Sequence, residues 1–122
     1  MSIRFLSFVL AALFIASGGA KLASLPFEVE AFARWGYPPA FMYVIGVLEV
    51  AGAVGLLVPR LSALASLCLA GVMVGAVATH AIHTEWPMLG VALAILAAAA
   101  WRSWRGRADI VLLGSAWIRR AS

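Results

Sequence analysis

The chain is short of charge and almost without thiol: of 122 residues only 11% are Asp, Glu, Lys or Arg, and there is one cysteine. So few charged side chains do not supply the polar surface that a soluble domain of this length exposes, which excludes an aqueous globular fold. A single cysteine has no partner for disulfide exchange within the chain, which removes dithiol redox chemistry. That residue, Cys68, lies inside an apolar run and reads as a small packing residue. Histidine is also scarce, with two residues, so a metal or haem centre has few ligands to draw on.

What the sequence does have is hydrocarbon. Hydrophobic residues make up 65% of the chain and the mean hydropathy is +1.04. Four apolar runs, Ile3 to Ala23, Phe41 to Val58, Leu61 to Ile82 and Pro87 to Trp101, approach or exceed the ~18 residues that cross a bilayer. The expected fold is therefore an all-α integral membrane protein, a four-transmembrane-helix bundle forming a single domain over residues 1–122. Met1-Ser2-Ile3-Arg4 before the first run, with Gly18-Gly19-Ala20 at its end, also has the make-up of a secretory signal. Three further spans favour a retained first helix.

The formal charge of +4 is not spread as a nucleic-acid surface would be. Arg4, Arg60, Arg102, Arg105, Arg107, Arg119 and Arg120 fall in segments of one parity, against Lys21 and Arg34 in the other. Short loops rich in Lys and Arg stay cytoplasmic, so both termini are expected inside. The basic tail then acts as a topology determinant on anionic lipid, and no nucleic-acid partner is expected.

Between the first two runs, Leu25 to Arg34 has Pro26 and two acids at its start, the marks of a helix N-terminus. A short interfacial helix in the first outer loop is expected there, ending at Trp35-Gly36-Tyr37-Pro38-Pro39. A second interfacial segment is expected over residues 109–122, with Trp101, Trp104 and Trp117 as an aromatic belt. The fourth run, from Leu89 to Ala100, carries no charged or hydrogen-bonding side chain and is assigned no chemistry.

Glu49 is the one carboxylate inside the second run. An ionised acid in hydrocarbon is costly, so it faces the bundle interior, pairs, or carries a proton. At about 1.5 Å per residue it sits about 12 Å along its helix, in the outer half. Gly46, Glu49 and Ala53 share one face, as do Phe14, Ser17, Gly18 and Lys21 on the first helix, so close helix contact at Gly18 and Gly46 is expected. In the third run Gly71 and Gly75 form a small-residue packing pair, Thr79 continues their face, and His80 lies about 28 Å from the start. Lys21, Glu49, Thr79, His80 and the Tyr37 loop therefore converge on the outer half. They are the candidates for ligand binding or proton relay. His80-Ala81-Ile82-His83-Thr84-Glu85 places two imidazoles one turn apart with a carboxylate close by, but with no third nitrogen or sulfur ligand His80 and His83 are weak metal candidates, so no metal is assigned and a haem is not expected.

Gly18-Gly19-Ala20-Lys21-Leu22, Phe32 with Trp35-Gly36-Tyr37-Pro38, Gly46 through Ala53, Leu56 to Pro59, and Gly71 to His80 together resemble the DoxX-like family over nearly the whole chain. The resemblance implies a four-helix bundle in the bacterial cytoplasmic membrane, with Lys21 and Glu49 at the family's polar positions. Relatives are associated with membrane oxidoreductase or chaperone-like assemblies, which implies a quinone-like ligand or a membrane or periplasmic redox partner.

Three functional readings follow. The first is an accessory subunit that binds a small amphipathic, quinone-like ligand or a redox partner at the outer-half site and is not a catalyst by itself. The second is a structural or chaperone-like protein whose polar cluster locks the bundle. The third is a small proton-coupled transporter, which would need a polar path to the inner face or a dimer of such units. A homo-oligomer through the Gly71 and Gly75 face stays open.

Overall fold

The computed structural model describes residues 2–121. Six helices follow in order: α1 (Ile3–Leu22), α2 (Pro26–Trp35), α3 (Pro39–Leu56), α4 (Ser62–Ile82), α5 (Trp86–Arg105) and α6 (Arg107–Ala121). Four of them, α1, α3, α4 and α5, are 20, 18, 21 and 20 residues long and apolar enough to cross a membrane. At about 1.5 Å per residue they match the ~30 Å hydrocarbon layer. The chain is a four-helix membrane bundle. The fourth span is a full-length helix, longer than the apolar run that announces it, because the helix continues through Arg102 to Arg105.

Around the bundle α1 packs on α3 and α5, and α4 packs on the same two, so the four spans close a ring. Short α2 lies over one end, against α1 and α3, and α6 leaves the other end in contact with α4. These are called the α2 end and the α6 end below. The core is small: Leu10, Phe14, Leu56, Leu69 and Ala53 are buried, with Met73 and Ala92 beside them. Large apolar side chains such as Phe8, Val44, Val54, Val74 and Leu93 point outward, as they must where the solvent is lipid.

Local sequence explains the helix ends. Ser2 Oγ accepts from Phe5 N at 3.1 Å to cap α1, and prolines occupy the first positions of α2 and α3, where no hydrogen bond is lost. Three helices close at the α2 end with the same turn. After α2, Tyr37 N donates to Phe32 O at 2.9 Å and Gly36 N to Ala33 O at 3.1 Å, with Gly36 left-handed at φ 83°. After α1 and α4 the same pair of bonds forms around Ser24 and Thr84, each with φ 54°. Such turns favour glycine, so Ser24 and Thr84 hold them against a steric cost of about 1–2 kcal/mol each.

Close approach of the helices is set by glycines, not all of them where expected. A Cβ on Gly18 would lie 2.8 Å from Gly46 O, one on Gly52 2.6 Å from Leu69 Cδ2, and one on Gly55 2.9 Å from Ala65 Cβ. Gly71 and Gly75 are exposed, and a Cβ on either meets nothing within 4 Å. No helix of the chain therefore approaches either glycine closely, and Gly75 instead borders the cavity described below. Cys68 also lies exposed on α4 rather than packed inside.

Candidate functional site

Beneath α2 the ring opens into a cavity of about 540 Å³. Its depth is apolar, walled by Leu13, Met73, Val91 and Ile95, and its α2 end is aromatic and charged. Two polar stations stand on that end, both lining the cavity.

The first station is built on the α1–α3 crossing. The contact of Gly18 with Gly46 brings the backbones together, and one helical turn further on Lys21 and Glu49 meet. Lys21 Nζ lies 2.8 Å from Glu49 Oε1, 2.8 Å from Ser17 Oγ and 3.5 Å from Glu28 Oε1. Ser17 and Glu28 accept hydrogen bonds from the ammonium group, and Glu49 pairs with its charge. Both members of the pair are buried, Lys21 at 8% and Glu49 at 4% exposure. The Lys21 to Glu49 contact lies outside hydrogen-bond angles, so Glu49 Oε1 is ion-paired yet accepts no hydrogen bond among the described residues.

The second station is built on the turn that closes α4. Because Thr84 is left-handed, Glu85 N donates back to His80 O at 2.9 Å, which folds the Glu85 side chain over the same residue. His80 Nδ1 is 2.9 Å from Glu85 Oε1, Trp35 Nε1 donates to Oε1 at 3.0 Å, and Arg34 Nη2 donates to Oε2 at 2.9 Å. The bond from His80, reinforced by Arg34 and Trp35 and opposed by burial, holds the Glu85 carboxyl below its ordinary value of 4.5. An ionised Glu85 only accepts, so the network assigns a hydrogen to His80 Nδ1. Trp35 also meets the His80 ring edge-on at 5.4 Å.

Tyr37 and Thr79 join α2 to α4 between the stations. Thr79 Oγ1 donates to Gly75 O at 2.9 Å, so the Tyr37 hydroxyl donates to Thr79 Oγ1, also at 2.9 Å. His83 takes no part: its Nδ1 donates to Thr79 O at 2.8 Å. Among the described residues no group of three His, Cys, Asp or Glu side chains is placed to hold a metal ion.

The expected candidates are therefore gathered on one cavity but not into one cluster. Lys21 with Glu49 forms one group, His80 forms another, and Tyr37 with Thr79 stands between them. Sequence reasoning missed Glu28, and it set Glu85 beside the two histidines only as a possible metal carboxylate, not as the partner of His80 and Arg34. Glu28 lies on α2, a position where an acid is ordinary, so nothing in the residue pattern marks it out. Near the α6 end Arg102, counted above among the basic topology determinants, is 7% exposed, and its Nε donates to Ser7 Oγ at 2.6 Å.

The model of the DoxX-like family matches residues 5–102, which takes in both stations and nearly the whole of the four spans. The chain belongs to the DoxX-like family. The match leaves α6, residues 107–121, outside it. No curated protein and no solved structure gives a match.

Proposed function

We propose that this DoxX-like protein is a membrane binding module, an accessory subunit that takes an amphipathic small molecule with its apolar body in the cavity and its head group at the α2 end. The observation that carries this reading is the cavity itself: about 540 Å³ of largely apolar space with its charged and hydrogen-bonding groups confined to one end. Polar residues acting only as glue would bridge helices without leaving such a space.

The hydrogen-bonding inventory shapes the quinone-like ligand expected from the resemblance. Lys21 donates to Ser17 and Glu28 and is ion-paired with Glu49, while the His80 ring, tied to Glu85 through Nδ1, lines the same end of the cavity. A head group that can both donate and accept suits this end, as a quinone and its hydroquinone do between them, and a redox partner would exchange it. Glu49 and His80 are then binding and proton-holding groups. Placement in a bacterial inner membrane, which rests on the family resemblance, and cytoplasmic termini, which rest on the distribution of arginines, complete the proposal.

The thermal midpoint of purified wild type and Glu49→Gln, each with quinones and hydroquinones, tests it. A ligand that raises the wild-type midpoint and leaves the variant unmoved establishes the site. If no compound moves either protein, the cavity is not a ligand site of this kind. A second reading, a structural post, is favoured by the close Gly18 to Gly46 contact beside the Lys21–Glu49 pair. It makes the pair a fastener of α1 to α3 and is tested by the cycle described in the Discussion.

A further inference from the structure

The ring of spans is not equally tight all round. Near the α6 end α1 meets α5 through the bond from Arg102 Nε to Ser7 Oγ at 2.6 Å, and Leu10 on α1 and Ala99 on α5 are 1% and 0% exposed. Among the described residues that bond is the one hydrogen bond between the two helices. Toward the α2 end the same helices line the cavity instead, α1 with Leu13 and Ser17, α5 with Met88, Val91 and Ile95.

Leu13 and Val91 settle what this half of the seam faces. Both line the cavity, and they are 44% and 51% exposed. A side chain with one flank on a cavity and the other on the outside is a rim, so the cavity is open along this seam. The stretch from Met88 to Ile95 gives the opening a height of about 10 Å at about 1.5 Å per residue. Because α1 and α5 are spans, hydrocarbon and not water lies outside it. The opposite seam, between α3 and α4, is fastened at both ends. The Tyr37 hydroxyl, just before α3, donates to Thr79 Oγ1 at 2.9 Å, and nearer the α6 end Leu69 and Ala65 fill the room left by Gly52 and Gly55.

An apolar space open to lipid does not stay empty. A void forfeits the dispersion contacts of its walls, and in the apolar depth water finds no polar partners. A hydrocarbon chain from the bilayer supplies those contacts without a desolvation cost, since it leaves one apolar medium for another. We infer that the seam between α1 and α5 is a lateral opening through which the cavity takes its occupant from the bilayer: a long-chain lipid whose head group stays at the α2 end and whose chain passes between Leu13 and Val91. This rests on the reading of the cavity as a ligand site and names the class of ligand, a membrane-dissolved molecule that the cavity does not have to enclose.

The full chain is placed in nanodiscs of phosphatidylcholine that carries a photoactivatable diazirine on one acyl chain, and the labelled residues are mapped by mass spectrometry. Ile45, Met73 and Ala76 line the cavity from α3 and α4, across from the opening, and are expected to be labelled. Val91→Trp and Leu13→Trp, each filling the opening from one lip, abolish those labels. Both positions are lipid-facing, so the bundle keeps its fold, which the thermal midpoint checks. Leu93→Trp adds the same bulk at an exposed position of α5 that does not line the cavity, and it keeps the labels. An unlabelled far wall in the wild type overturns the assignment, as do labels that survive both plugs or that vanish in Leu93→Trp as well. The quinone and hydroquinone panel is run in parallel on the same nanodiscs. If a compound raises the midpoint while the far wall stays unlabelled, the ligand cavity stands and the lateral opening falls. If the far wall is labelled through the opening and no compound moves the midpoint, the opening stands and the quinone-like ligand falls. If neither signal is seen, both fall.

Discussion

Gly18 and Gly46 face each other across the α1–α3 crossing so closely that a Cβ on the first would lie 2.8 Å from the carbonyl oxygen of the second, and a Cβ on the second 3.1 Å from the carbonyl oxygen of the first. This contact sets the distance between Lys21 and Glu49, which follow each glycine by one turn. Gly18→Ala is expected to destabilise the bundle by about 1–3 kcal/mol, because a backbone carbonyl has no rotamer by which to move aside. Gly19→Ala, one residue on, meets nothing within 4 Å and serves as the control, with a gain of about 0.5–1 kcal/mol from helix propensity. Unfolding of both variants in mixed micelles separates the effects. Equal behaviour would show that the crossing is not tight.

The Lys21–Glu49 pair is not symmetric. Without Glu49, Lys21 keeps Ser17 at 2.8 Å and Glu28 at 3.5 Å. Without Lys21, Glu49 keeps nothing. Lys21→Met is therefore expected to cost about 3–5 kcal/mol, the usual penalty for a stranded buried charge, and Glu49→Leu distinctly less. The double variant should recover most of the loss, since Glu28 at 14% side-chain exposure turns to water more readily than Glu49. The double-mutant cycle also weighs the two functional readings. Recovery of stability together with full retention of ligand binding would make the pair a fastener and remove Glu49 from the site.

The spans, the short surface helix and the polarity of Glu49 were legible because each breaks a strong rule. Apolar runs of span length have one solution in a bilayer, and an acid inside such a run cannot be indifferent. Lys21 was legible through its helical face with Ser17 and Gly18. Glu85 was not, because its place depends on Thr84 adopting a left-handed conformation that a β-branched residue rarely takes. Glu28 was not, because an acid in the first turn of a surface helix already has an explanation in the helix dipole. Gly71 and Gly75 misled for the opposite reason: the small-residue pattern records a surface where a backbone can approach, and within this chain no helix comes. Arg102 read as a topology determinant because arginines at span ends usually reach for water, whereas this one turns inward to Ser7.

The Glu85 station predicts an acid limb. The hydrogen bond from His80, with Arg34 and Trp35 also facing the carboxylate, lowers its folded value below 4.5, so as pH falls the unfolded chain takes up this proton before the folded one does. The contribution to stability is complete above about 4.5 and is lost as pH drops through the folded value. Glu85→Gln has no such proton to take up. Its midpoint is expected below that of the wild type at neutral pH, with the gap closing on acidification. A gap that stays constant with pH would mean that the carboxylate's charge is not what holds α2 to the turn after α4.

Arg102 makes the corresponding claim at the α6 end. Its guanidinium is buried between α1 and α5, donating from Nε to Ser7 Oγ at 2.6 Å, while Ser7 Oγ donates in turn to Ile3 O at 3.1 Å. Gly106 leaves room for it, since a Cβ there would lie 2.7 Å from Arg102 Nη1. Ser7→Ala removes the acceptor but not the charge, and a buried donor left unpaired costs about 1–3 kcal/mol. Ser7→Thr keeps an acceptor oxygen at the same atom and should lose less than Ser7→Ala if the hydrogen bond rather than the volume matters. Comparing the two by unfolding in micelles decides it. If alanine is tolerated better than threonine, Arg102 is held by packing, and the bond to Ser7 is incidental to the joining of α1 and α5.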